Sequence, residues 1–201
     1  MEIDLKIIAN PQEIFRELPT LETPRLKLRR LMTRDANDVY EYASDPNVSR
    51  FVTWETHRSV ADSLHFVRMV LNSYNRGEPT SWGIVYKEDR KIIGTGGYHW
   101  WQVDSARAEI GYAISSRYWN RGIMTEALNA MVEFGFEKML LNRIEARCYI
   151  KNSASERVLQ KCGFRFEGIM RESLYVKGEF QDLKLYSVLK KDFEELGFKN
   201  G

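Results

Sequence analysis

Residues 109–127, EIGYAISSRYWNRGIMTEA, run from an apolar strand pattern through a short polar loop to a glycine that opens a long helical pattern. The first turn of a helix leaves backbone N–H groups without intrahelical acceptors, and the helix dipole adds positive potential there. An anion suits that place. Gly122 lets a ligand approach the backbone closely, and Arg117 and Arg121 put positive charge beside it. Together these residues suit a pyrophosphate. A glycine between strand and helix is also an ordinary turn, so the feature has a plain structural reading as well. It is neither of two common phosphate loops: no Gly-Lys-Ser/Thr follows, and the dinucleotide pattern needs three spaced glycines.

A second feature follows about thirty residues on, NSASERVLQKCGF at 152–164. Asn152 or Ser153 caps a helix there and Gly163 ends it. Simple capping accounts for part of this. Two successive strand–helix units with polar groups at both helix starts also suit one long ligand, its phosphates at the first helix and an arm passing between the strands towards the second.

The elements that must position these groups read as follows. Residues 25–31 alternate charged and apolar, as a half-buried strand does. Thr33 is placed to cap a helix from about Arg34, ended by the turn Asp45-Pro46-Asn47. Residues 59–74 form a second amphipathic helix with Val60, Leu64, Val67 and Val70 or Leu71 inward. Strands at 82–86 and 91–101 make a hairpin around 87–90. A strand at 107–114, a helix at 122–138, a strand at 143–150 and a helix at 152–161 come next, then strands near 164–175 and 181–189. The expected fold is α/β, a mixed twisted sheet of about seven strands flanked by helices. Residues 1–23 hold Pro11 and Pro19 and read as an extension with a short helix at 12–18 opened by Asn10-Pro11. The domain proper is expected at 24–192 and a tail at 193–201.

Composition narrows the class. The 201 residues suit one domain, and 43% hydrophobic with 29% charged residues reads as a globular protein. A net charge of +2 gives no global attraction to nucleic acid or membrane. Cys148 and Cys162 lack metal or disulfide spacing and read as buried free thiols. With no signal-peptide or membrane-span pattern, the expected location is cytoplasmic. His57, His65 and His99 are too scattered for a metal site, and no metal is expected.

The strand EIGYAI, RGIMTEAL and NSASERVLQKCGF together resemble the GNAT superfamily of acetyl-CoA-dependent N-acetyltransferases, and FRFEGIMRESLYVKGEFQDLKLYSVL resembles its ribosomal-protein alanine or serine N-terminal acetyltransferase branch. The resemblance spans residues 24–192. It implies the GNAT fold and acetyl-CoA as cosubstrate. It places the pyrophosphate on the backbone amides of Asn120, Arg121, Gly122, Ile123, Met124 and Thr125, and the pantetheine arm along the strand ending at Ile114. Asn152 would bond that arm and Ser155 would lie near the sulfur. Trp119 and Met124 depart from the superfamily's usual loop, although the branch tolerates both. Leu159 stands where many members carry a tyrosine that protonates the leaving thiolate, a role leucine cannot fill.

Direct attack on a thioester needs a neutral amine, a polarised carbonyl and a proton for the leaving sulfur. A backbone amide of the central strand can polarise the carbonyl. Glu109 is the candidate base, in the family's usual position for such a carboxylate; the plain alternative is a strand charge paired with Arg107. Strand alternation puts Glu109, Gly111 and Ala113 on one face and Ile110, Tyr112 and Ile114 on the other. Ser155 is the candidate acid, with Tyr112 and Tyr175 as fallbacks, and it reads equally as an ordinary first-turn serine. Trp54, Tyr98, Trp100 and Tyr175 are the candidate acceptor-side residues; aromatics can wall amine pockets but more often serve core or homodimer packing. The acceptor is expected to be a protein N-terminus. A small amine, or a non-catalytic acyl-CoA-binding module, is the alternative.

Overall fold

In the computed structural model, which describes residues 11–195, the chain begins with α1 (Pro11–Arg16), β1 (Leu21–Glu22) and β2 (Leu26–Arg29). Asn10 of the expected Asn10-Pro11 cap lies outside the described residues. Helices α2 (Ala36–Ala43), α3 (Pro46–Ser49) and α4 (Val60–Arg76) follow, then β3 (Ser81–Tyr86), β4 (Lys91–Gln102) and β5 (Arg107–Ile114). The second half holds α5 (Ile123–Glu137), β6 (Arg143–Tyr149), α6 (Ser153–Lys161), β7 (Arg165–Val176), β8 (Glu179–Leu189) and α7 (Lys190–Glu195). The strands form one eight-stranded sheet in the order β1-β2-β3-β4-β5-β6-β8-β7. β5 and β6 pair parallel and every other neighbouring pair is antiparallel. The eighth strand beyond the expected seven is the two-residue β1.

Local chemistry explains most element ends. Ser59 and Asp62 form a reciprocal capping box at the start of α4. Thr33 does not cap as expected. It opens a single 3-10 turn, and the Asp35 carboxylate accepts from the Met32 amide at 2.8 Å while the Arg29 guanidinium grips both its oxygens. The Asp45-Pro46-Asn47 turn is itself the start of α3, with Asp45 as cap. Val60, expected inward on α4, is 39% exposed, because the helix buries Ser63, Val67, Val70 and Tyr74 instead.

Helices cover both faces of the sheet, and neighbouring β4 residues define them. Thr95 meets the Tyr42 hydroxyl of α2, whereas a side chain on Gly96 would strike Met131 of α5. Trp82 packs its ring edge-on against Tyr98 and Phe134 at the centre of the α5 side. The segment read as an extension joins the core: Phe15 and Leu18 are buried, Phe15 contacts the Trp101 ring, and the Trp82 indole donates to the Pro19 carbonyl. Phe193, expected in a tail, is buried against Phe136. No described helix is long and apolar enough to cross a membrane.

Candidate active site

The site begins where the sheet comes apart. β5 and β6 pair only through Arg107↔Arg143, Ala108↔Ile144 and Glu109↔Glu145. Beyond Glu109, β5 stays with β4 up to Ile114, and β6 stays with β8 up to Tyr149. A wedge therefore opens between them, lined on one side by backbone of β5. The segment around α3 spans its far end: Ser116 donates to the Asp45 carboxylate at 2.5 Å just past β5, and the Phe51 ring packs on Tyr149 at the end of β6. The turn between β7 and β8 joins the same span through Lys177 Nζ, 2.6 Å from the Ser49 carbonyl.

One end of the wedge leads to the loop before α5. Gly122 caps that helix in the left-handed conformation at φ 70°, and as a glycine it offers the first-turn amides no side-chain acceptor. Asn120 is also left-handed, at φ 58°. Ile123 and Met124 bury their side chains, which leaves their backbone as the ligand-facing part. Of the two arginines read as phosphate partners, Arg117 bonds Glu41 while Arg121 lies over the Tyr86 and Tyr118 rings. A third cation stands there unforeseen: Arg25 donates to the Arg121 carbonyl at 2.9 Å and pairs with Glu126 at 2.6 Å. Glu126 would otherwise put an unmatched negative charge in the first turn of α5. Burial pushes its pKa up, but the Thr23 hydroxyl, the Arg25 amide and the Arg25 guanidinium outweigh that and hold it low, with its charge matched by Arg25. Ile114 is buried and its carbonyl accepts from the Trp119 indole at 3.0 Å. The left-handed glycine at the helix start, with the Arg25 and Arg121 side chains beside it, fits a pyrophosphate.

The other helix start reaches the wedge from the same face. Asn152 caps α6 by accepting from the Ser155 amide at 3.1 Å. The Ser155 hydroxyl lies 2.9 Å from the Tyr112 hydroxyl. Burial raises the Tyr112 pKa well above the usual phenol range against the lowering effect of Ser155, so this hydroxyl keeps its proton. Leu159 is buried, as an apolar core residue.

Glu109 occupies the opposite face, at the last residue of β5 that pairs with β6. Its side chain is only 7% exposed. Oε2 accepts from Arg147 at 2.5 Å and from the Trp100 indole at 3.0 Å, and Oε1 lies 3.4 Å from His99 Nδ1. Burial works to raise its pKa, but the hydrogen bonds and charges of His99 and Arg147 prevail and hold it below the usual carboxylate range. The alternative pairing with Arg107 is not what forms: Arg107 bonds Gln102 and approaches Glu145. Arg147 had no local signal. It meets Glu109 because the parallel register places Glu145 opposite Glu109, and Arg147 lies two residues further along the same face.

The acceptor-side aromatics separate. Tyr98 leaves the set: it is 0% exposed and its hydroxyl donates to the Met131 carbonyl at 2.8 Å, on the α5 side. Trp100 joins Glu109 on the α2 side. Simple alternation would keep the two together. A bulge between the pairs Tyr98↔Ile110 and Trp100↔Glu109 inserts His99 and inverts the faces. Trp54 packs near His57, whose ring contacts Phe66, in the loop after α3. Tyr175 is 64% exposed near the β7–β8 turn, against Phe180. Among the described residues no cluster of His, Cys, Asp and Glu is arranged to hold a metal ion.

Comparison with known proteins bears on the family and the fold. Residues 25–165 match the family model described as "Acetyltransferase (GNAT) domain". The chain is 34% identical over 172 residues to the N-acetyltransferase YoaA of Bacillus subtilis, covering 86% of this chain and 97% of that one. It is 26% identical over 182 residues to the [ribosomal protein uS5]-alanine N-acetyltransferase of Escherichia coli, covering 86% and 92%. A solved GNAT-family acetyltransferase from Bacillus anthracis superposes with a TM-score of 0.75 at 28% identity, covering 86% of this chain and 99% of that one. With a wedge between two parallel strands and a family model matching most of its length, the chain belongs to the GNAT family and is an acetyl-CoA-dependent N-acetyltransferase.

Proposed function

We propose that this chain acetylates the N-terminal α-amine of a protein, with ribosomal proteins the first class to examine, by direct attack of the amine on the thioester. The observation that carries the reading is the placement of Glu109 and the Tyr112–Ser155 pair on opposite faces of one strand at the point where the sheet parts. The named activity of the uS5-alanine relative, similar along 86% of this chain, supports the choice of acceptor. A ribosomal acceptor also implies work in the cytoplasm.

Acetyl-CoA supplies the thioester. The amides of Gly122, Ile123, Met124 and Thr125 would hold its pyrophosphate, with Asn120 and Arg121 shaping the loop, and β5 up to Ile114 would pair with its arm beside Asn152. An amide of β5 facing the wedge would polarise the carbonyl. The neutral amine nitrogen bonds to the carbonyl carbon, and the carbon–sulfur bond breaks. The nitrogen's proton leaves on the Glu109 side. On the other face Tyr112 and Ser155 would hydrogen-bond the departing thiolate, which then takes a proton from solvent. Because Tyr112 holds its own proton tightly, its part is donation of a hydrogen bond rather than full transfer, and the Ser155 hydroxyl supports it from 2.9 Å. Trp100, Trp54 and Tyr175 would flank the acceptor.

The test is an acceptor screen that follows release of the CoA thiol. Peptides beginning with Ala or Ser from ribosomal proteins should be turned over, and the same peptides with blocked N-termini should not. Faster turnover of polyamines or other small amines than of every peptide would overturn the protein acceptor. Binding of acetyl-CoA without thiol release for any amine would make the domain a binding module.

A further inference from the structure

We propose that His99, not Glu109 itself, takes the proton from the acceptor amine, with Glu109 orienting the imidazole and balancing its charge. This rests on the acetyl-transfer reading above and adds a residue to it.

Glu109 is badly placed to act alone. Its side chain is almost fully buried, and Arg147 and Trp100 share one oxygen while His99 takes the other. A carboxylate pinned by a guanidinium is a weak base, and one without surface cannot touch an incoming amine. His99 has what Glu109 lacks. Its side chain is 56% exposed, on the acceptor face of the sheet. Nδ1 faces Glu109 Oε1. The opposite edge of the ring lies over the β5 backbone at Gly111: a methyl group there would come within 2.3 Å of Cε1 and 2.5 Å of Nε2. Gly111 is two residues past Glu109, on the stretch of β5 that has already left β6. The imidazole therefore overhangs the wedge where the thioester is expected.

The bulge that inserts His99 produces this arrangement, since bulges re-aim side chains beside active sites. Glycine at 111 is what leaves room for the ring. The charged groups around the imidazole are Glu109 from β5 and Arg147 from β6, with Arg107 stacked on the adjoining Trp100 ring. With Nδ1–H donated to Glu109, Nε2 carries a lone pair. As the C–N bond forms and the C–S bond breaks, Nε2 takes the proton leaving nitrogen. The imidazolium so formed sits against the Glu109 carboxylate, as in other histidine–carboxylate pairs, and later returns its proton to solvent. Arg147 keeps Glu109 ionised throughout and is a positioning residue.

The experiment compares His99→Gln, His99→Ala and Glu109→Gln with wild type, using the best acceptor from the screen. Turnover is measured across pH and acetyl-CoA affinity by calorimetry. The exposure of His99 makes its substitution mild for the fold. Both His99 variants should lose about 10²-fold in kcat, the usual scale for general-base loss, with acetyl-CoA affinity within twofold of wild type. Added imidazole should restore part of the His99→Ala rate, which a structural role would not allow. His99→Gln within twofold of wild type, beside a Glu109→Gln variant that has lost activity, would overturn the inference and return the base to Glu109 while acetyl transfer stands. A wild type that releases no thiol with any amine would remove both.

Discussion

Glu109 and Tyr112 stand three residues apart on one strand and project from opposite faces of the sheet. An odd separation along a strand without a bulge has this result. In the proposed reaction this would separate two proton tasks, the amine losing its proton on the α2 side and the sulfur being met on the α6 side, with the wedge beyond Glu109 between them.

Acetyl-CoA should stabilise the fold measurably. A ligand that binds only the native state at a hundred times its dissociation constant contributes about 2.7 kcal/mol. For a chain of this size that raises Tm by roughly 5–10 °C. Thermal melting with and without the ligand checks it, and an unchanged Tm at millimolar acetyl-CoA would contradict the placement of the loop before α5.

Gly122→Val should weaken the cosubstrate site more than the chemistry. Space is not the obstacle, since the nearest atom to an added Cβ is Arg25 Nη2 at 3.6 Å. The obstacle is φ at 70°, where a branched residue costs about 1–2 kcal/mol and so tilts the first-turn amides. Acetyl-CoA affinity by calorimetry should fall about tenfold or more, while kcat at saturation stays near wild type. Normal affinity in a folded variant would mean that the pyrophosphate binds elsewhere.

Tyr112→Phe isolates the sulfur side. The change removes one hydroxyl from a half-buried position and keeps the ring, so its effect on packing is small. Loss of one hydrogen bond made to the leaving group should lower kcat about tenfold, with little change in KM for either substrate. Ser155→Ala should resemble it, and the double variant should lose little more, because the two hydroxyls act as one chain 2.9 Å long. Steady-state kinetics of the three variants test the coupling, and additive losses would show two independent roles.

A pH effect on stability is expected away from the site. The Arg143 guanidinium holds Glu167 at a pKa of about 2 despite the opposing effect of burial, with help from the Ser187 hydroxyl. A depressed carboxylate contributes fully above its unfolded pKa, and the contribution is lost as pH falls from about 4.5 towards 2. The Glu167 side chain is 35% exposed, so solvent screening reduces the effect to about 1 kcal/mol. Glu167→Gln should therefore lower stability at pH 7 and flatten its decline in acid. Urea unfolding at pH 7, 4 and 3 measures both, and parallel curves for variant and wild type would refute the assignment.

The elements with strong local signals were legible in the chain itself. β5 carries unbroken strand pattern, α4 has its serine–aspartate cap, and α6 has an asparagine in front and a glycine behind. The glycine that opens α5 belongs to this legible class, since a local pattern carries it, whereas Glu109 is singled out by the family resemblance rather than by any local pattern. What stayed hidden depends on partners far along the chain. The two-residue β1 and one-turn α3 are too short for any period to show. Arg147 reaches Glu109 only through a parallel register three residues long. Tyr98 and Trp100 part company because one inserted residue reverses the alternation, and nothing in YHWW says where the extra residue falls.

The span across the far end of the wedge closes an open V into a triangle. Two sides are strands, and the third is the chain around α3, fastened by Ser116 to Asp45, by Tyr149 to Phe51 and by Lys177 to Ser49. A triangle, unlike a V, cannot widen by swinging one arm. Enlarging this aperture means breaking fastenings on both strands and the hairpin together. If the thioester enters there, such a rim would act as a gauge, and acyl groups longer than acetyl are expected to be screened by it rather than by any one residue inside it.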